Sequence, residues 1–187
     1  MTLLEMKEKV LGLIEELNPD SEYLTDDPDI TTKINDVINQ ILFELARMKK
    51  IPKYVEIDVK AGDLIDYARI ERESGYEVYQ LNLVEGVACE FKAQGTIIKA
   101  VENGTMGVDF FIYPERITKK TKEKGYEFEL SPDALEIMPY GVAGDLLKSD
   151  VSTEYGRIYS ERYEEMKLQL DPRYTMGSIY IEGGVRI

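Results

Sequence analysis

The spacing of apolar residues changes twice along this chain, and this change constrains the fold more than any other feature. In residues 1–50 apolar side chains recur every three or four positions, which predicts amphipathic helices. In residues 54–130 short runs alternate apolar and polar side chains, which predicts strands. Helical spacing returns in residues 131–171. This order predicts a protein of the α+β class.

Local signals mark the first two helices. Thr2 and Glu5 have the spacing of a capping box, and the helix that follows is expected to end at Asn18. The second helix is predicted from about Ile30 to Lys50, because its apolar residues form one broad stripe.

The third helical segment begins with Ser131, a good N-cap, followed by proline at the first helical position. Pro139 is expected to kink or split this helix. Gly141 and Gly144 leave room for another backbone to approach closely. A last helix is predicted over about 152–170.

Each predicted helix has one apolar face and therefore needs partners. A plain α+β domain is one arrangement. The more economical one is an antiparallel helical bundle (1–53 and 131–171) with a small antiparallel β-sandwich or barrel (54–130) inserted between its second and third helices. Residues 172–187 then form an extended C-terminal arm.

Composition excludes several chemistries. The chain has no His and one Cys, which removes His-based catalysis, an intrachain disulfide and a Cys-based zinc site. The net charge of −13 and a pI near 4.6 argue against DNA wrapping and a polybasic membrane anchor. No apolar run approaches the length of a membrane span. We expect no enzyme activity, no cofactor and no metal site, in a soluble protein.

One basic run stands out in this acidic chain. It consists of Arg116, Lys119, Lys120, Lys122 and Lys124. The run predicts a patch that binds an acidic partner surface or a phosphate backbone. The alternative is a loop that only keeps the protein soluble. No aromatic residue interleaves with the lysines, so a platform for stacking single-stranded bases is not indicated.

Tyrosine is the dominant aromatic residue, with 13 copies against no Trp. Tyr155, Tyr159 and Tyr163 follow one another at four-residue spacing on the last predicted helix. Tyrosine suits surfaces that are wet in a monomer and covered in an assembly. The row therefore predicts a partner-binding surface, with a bundle core as the alternative.

The C-terminal segment contains a short run with strand propensity next to glycines. Its residues are Ser178, Ile179, Tyr180 and Ile181. Such a strand can pair with the sheet edge of a neighbouring molecule. We predict that it binds a neighbour or another partner, and a frayed terminus is the alternative.

The order of elements resembles that of phage head–tail connector (adaptor) proteins, and in particular the tail tubular protein A type. The likeness lies in the second helix (34–41), the two hairpins (95–100 and 108–114), and the segment 130–135 that leads into 140–143. It covers nearly the whole chain as element order, without a specific motif.

The resemblance implies a structural part of the virion at the head–tail junction, assembled in the cytoplasm of the host bacterium. Such proteins form a twelve-fold ring below the portal protein, extend the DNA channel and dock the tail or a stopper protein. Their helices and C-terminal arm anchor them to the portal. An acidic chain fits a channel through which DNA slides without specific binding.

Two other functions stay open on the sequence. One is a β-sandwich binding module for a peptide or carbohydrate ligand, although the absence of Trp weakens a sugar-stacking site. The other is a metal-dependent hydrolase built on carboxylates. Acidic residues are abundant, but nothing in the sequence singles out a pair of them.

Overall fold

The computed structural model describes residues 1–92, 95–148 and 154–170. In these residues the chain forms five helices and two small three-stranded antiparallel sheets, so the predicted α+β class is confirmed. The chain divides into two compact units. We call residues 1–51, 114–148 and 154–170 the helical unit, and residues 52–92 and 95–113 the β unit.

The helices and strands are numbered in chain order. The helices are α1 (Leu3–Leu13), α2 (Pro28–Met48), α3 (Tyr67–Ser74), α4 (Pro132–Leu147) and α5 (Tyr155–Leu168). The strands are β1 (Ile51–Val59), β2 (Leu64–Asp66), β3 (Val78–Glu85), β4 (Cys89–Lys92), β5 (Ile97–Ala100) and β6 (Gly104–Ile112).

The predicted capping box starts α1. The Thr2 hydroxyl accepts a hydrogen bond from the Glu5 backbone N–H (3.2 Å), and the Glu5 carboxylate accepts one from the Thr2 N–H (2.8 Å). Helix α1 ends at Leu13, earlier than expected, because the chain turns at Glu15 with φ of 61°. The Asp27 carboxylate caps α2 by accepting the N–H groups of residues 29 and 30.

Helix α4 lies at the centre of the helical unit and packs against α1, α2 and α5. It is buried on nearly every side, with Ala134, Met138 and Val142 inaccessible to solvent. Pro139 lies inside the helix without ending it, so the predicted split is wrong. Burial of so apolar a helix outweighs the loss of one backbone hydrogen bond at the proline.

The glycines of α4 let α5 approach closely, as the sequence predicts. A Cβ atom added to Gly144 would lie 2.9 Å from the Ser160 backbone N and 3.2 Å from its Cα. A Cβ atom added to Gly141 would lie 2.9 Å from the Tyr163 ring. The two helices therefore meet through backbone and ring contacts that a larger side chain would push apart.

An ion pair joins the end of α2 to the first turn of α4. The Lys49 ammonium lies 2.7 Å from the Asp133 carboxylate. Hydrogen bonding to Lys49 is the main reason that the pKa of Asp133 falls from 3.8 to about 2. The pair therefore stabilises the fold above pH 3.8, and this contribution is lost as the pH falls toward 2.

The β unit has two sheets with strand orders β1-β6-β3 and β2-β5-β4. In the first, Leu81 of β3 lies opposite Phe110 of β6, which is fully buried. In the second, Ile98 of the central strand β5 lies between Ile65 and Phe91. Ile65 and Ile98 are also inaccessible to solvent, so both sheets contribute to the core of the unit.

Helix α3 in the β unit is not predicted by the residue spacing of the sequence. Asp66 accepts a hydrogen bond from the Arg69 N–H at its start, and Gly75 ends it in a left-handed conformation. Ile70 is its single buried residue. Two turns with one buried residue are too short to show helical spacing, although the capping residues mark both ends.

Residues 114–130 differ from the predicted boundary of the β-domain, because they belong to the helical unit. The run 126–130, which ends the region predicted to form strands, forms only a single bridge between Thr2 and Glu127 in the described residues. Its backbone instead bonds to the start of α1, where the Leu3 N–H donates to the Tyr126 carbonyl (3.0 Å). The predicted C-terminal arm, residues 172–187, lies outside the described residues.

We predict that Gly144→Ala destabilises the protein, although alanine is the better helix former. Its methyl group meets the α5 backbone, so we expect a loss of about 1 to 3 kcal/mol in the free energy of unfolding. Gly12→Ala is the matched control, because a Cβ at Gly12 meets nothing within 4 Å and should stabilise α1 by about 0.5 to 1 kcal/mol. Urea denaturation measures both. A Gly144→Ala protein as stable as wild type would contradict the close approach.

Candidate interaction surface

The five predicted basic residues lie on one irregular segment of the helical unit, residues 115–125, which we call the basic loop. All five side chains are exposed, namely Arg116, Lys119, Lys120, Lys122 and Lys124. Within the part of the chain that the structure describes, none of them forms a salt bridge. The loop therefore presents five cations to solvent in a protein whose net charge is −13.

A buried asparagine fixes the backbone of the basic loop by hydrogen bonds. The Asn39 side-chain amide donates to the Ile117 carbonyl and its oxygen accepts from the Ile117 N–H, both at 2.8 Å. Asn39 and Ile117 are only 4% and 3% exposed. The amide thus replaces a backbone partner for both polar groups of Ile117, which would otherwise be buried without one.

Further bonds fix the two ends of the basic loop. The Tyr126 hydroxyl donates to the Glu115 carbonyl at 2.6 Å, and burial is the first cause that raises the pKa of Tyr126 to about 12. The largely buried Lys7 ammonium lies 2.6 Å from the Glu123 carboxylate. The backbone of the loop is therefore held in one arrangement while its cations point outward. A preordered backbone of this kind loses little backbone conformational entropy on binding.

The three predicted tyrosines of α5 lie in three different environments. Tyr163 is buried against Gly141, with the Lys167 ammonium 4.8 Å from the ring centroid. The Tyr159 hydroxyl donates to the Leu13 carbonyl at 2.6 Å and so ties α5 to α1. Tyr155 is 59% exposed. Of the three, it alone offers most of its ring to a partner, and the partner-binding role of the row stays a prediction.

A pocket of about 350 Å³ opens where the ends of four helices meet in the helical unit. Its apolar lining includes Leu13, Ile30 and Leu147, and Tyr155 and Tyr159 form part of its wall. The sequence gives no signal for this pocket, because its residues come from α1, α2, α4 and α5 and from the turns beside them.

The pocket is strongly acidic. Four carboxylates line it, those of Glu15, Glu16, Asp27 and Asp29. Lys33 is the one basic residue in its lining, and its ammonium lies 4.0 Å from Asp29. The pKa of Tyr159 is raised first by burial and then by the nearby Glu15 carboxylate. We call this site the acidic pocket.

Other candidate groups have simpler surroundings. Cys89 of β4 is half-buried, and burial raises the pKa of its thiol. Among residues 1–92, 95–148 and 154–170, no group of three or more Cys, Asp or Glu side chains is arranged to hold a metal ion. No helix in these ranges is long and apolar enough to cross a membrane. The predicted partner strand, 178–181, lies outside the described residues.

Comparisons with known proteins do not assign the chain to a family. No protein-family model matches it, and no curated protein matches its sequence.

We predict that Asn39→Ala destabilises the protein and loosens the basic loop. The substitution leaves the N–H and carbonyl of Ile117 buried without partners, so we expect a loss of about 2 to 4 kcal/mol in the free energy of unfolding. Hydrogen exchange at the Ile117 amide should become faster relative to the amides of α4.

The control is Asp36→Ala, which removes an exposed side chain from the same helix. It should change the stability by less than about 0.5 kcal/mol. Equal exchange at Ile117 in wild type and Asn39→Ala would show that the asparagine does not hold the loop.

Proposed function

We propose that this protein is a structural head-to-tail connector (adaptor) of a tailed bacteriophage or prophage. Copies of the chain form a ring below the portal protein. The ring extends the DNA channel and docks the tail or a stopper protein. The protein works through its shape and surface, as part of the virion, and has no catalytic role.

The architecture of the helical unit is the observation that supports this proposal best. Helices α1 and α2 precede the β unit in sequence, α4 and α5 follow it, and α1, α2 and α5 pack around α4. The connectors that the sequence resembles likewise combine helices with a β-rich insertion. In this proposal the helical unit builds the ring and contacts the portal.

The charged surfaces give the proposal a second support. A closed ring of identical subunits uses head-to-tail contacts, so each subunit needs two different and complementary patches. The basic loop and the acidic pocket are two such patches on one unit. A channel through an acidic ring repels phosphates, which lets the duplex slide without sticking.

We predict that the chain joins the portal protein encoded in the same genome and forms a ring with it. Native mass spectrometry of the mixture should give a complex whose mass fits several copies of the chain per portal ring. The chain measured alone, over a range of concentrations, shows whether the ring needs the portal.

An unrelated acidic protein of similar mass and net charge is the control for non-specific adhesion to the portal. A chain that stays monomeric at every concentration, alone and in the mixture, would refute the connector function.

A further inference from the structure

We infer that the basic loop of one copy docks in the acidic pocket of the next copy, and that this contact closes the ring. The inference rests on the proposed function, because it names the subunit interface of that ring. The partner that the pocket binds is therefore a second copy of this chain.

The chemistry of the two surfaces is complementary. The acidic pocket has four carboxylates against one ammonium, a net of three negative charges. The basic loop carries five cations against two carboxylates, a net of three positive charges, and none of its cations forms an intramolecular salt bridge in the described residues. Lysine also has an apolar stem, which suits a pocket with leucine and isoleucine in its lining. The exposed ring of Tyr155 adds an aromatic face that attracts an ammonium group.

The two surfaces cannot meet within one copy, because they lie at opposite ends of α1. The loop is bonded to the start of the helix, where the Leu4 N–H donates to the Glu123 carbonyl. The pocket is lined by Leu13 at its end and by Glu15 beyond. The 11 residues of α1 span about 16 Å. The bonds to Asn39 and Lys7 prevent the loop from moving across this distance.

A contact between copies follows from this separation. Each copy offers a loop at one place and a pocket at another, so the interface is heterologous. Each copy can therefore bind one neighbour through its loop and another through its pocket. Such a contact closes into a ring when the rotation between subunits allows it. Since it consists of several exposed ion pairs, the association should weaken as salt is added.

A charge swap tests the pairing. The loop variant carries Lys119→Glu and Lys122→Glu, and the pocket variant carries Glu15→Lys and Glu16→Lys. All four wild-type side chains are exposed and have no side-chain hydrogen bond within the described residues. For each variant alone, the fraction of the chain found in ring complexes should fall at least tenfold, measured by native mass spectrometry with the portal present. Circular dichroism checks that both variants fold.

An equal mixture of the two variants should restore assembly. The acidic loop of one variant then meets the basic pocket of the other, and the basic loop of the second meets the acidic pocket of the first. Isotope labelling of one variant identifies mixed species of any size. The control is Lys9→Glu with Lys92→Glu, which changes the net charge as much as the loop variant does but at exposed residues outside the loop.

The outcomes separate this inference from the proposed function. If wild type assembles and the loop and pocket variants behave like the control, the interface is elsewhere and the connector function stands. If both variants lose assembly but the mixture does not regain it, the two surfaces do not pair with each other and the inference is wrong. If wild type itself never assembles, with or without the portal, both are overturned.

Discussion

Helix α4 is apolar on nearly every side, and the need to bury it is the constraint on which the helical unit depends. An all-round apolar helix requires neighbours on several faces. Helices α1 and α2 from the start of the chain and α5 from its later part supply them. The glycines at 141 and 144 bring α5 close enough to exclude water from that side. The two parts of the sequence therefore fold together, and the β unit is an insertion between them.

The packing of α2 against α4 also fixes the position of the basic loop. Asn39 lies on a helix that packs against α4, and its amide holds the backbone of Ile117. The cations of the basic loop are thus displayed on a fixed frame instead of on a freely moving segment. At the far end of α1 the helix ends enclose a pocket with the opposite charge. Rigidity and charge separation on one unit are the properties that repeated, directional association requires.

The sequence predicts those features that depend on nearby residues. The α+β class, the four long helices, the Thr2–Glu5 capping box and the close approach at Gly144 all follow from local spacing and residue type. The features it misses depend on distant contacts. Asn39 and Ile117 are 78 positions apart, and the pocket residues come from four helices and the turns beside them. The one sequence signal for Asn39 is that it is a polar residue next to the apolar stripe of α2. The run 126–130 has a strand-like pattern, but its backbone bonds to the start of α1.

Electron cryomicroscopy of intact tailed particles tests the central claim most directly. The particles are produced by the bacterium that carries the gene, and the reconstruction is focused on the vertex through which DNA leaves the capsid. The connector account predicts density for the helical unit and the β unit, repeated around the channel directly below the portal. Well-resolved particles whose exit vertex contains no copy of this fold would contradict it.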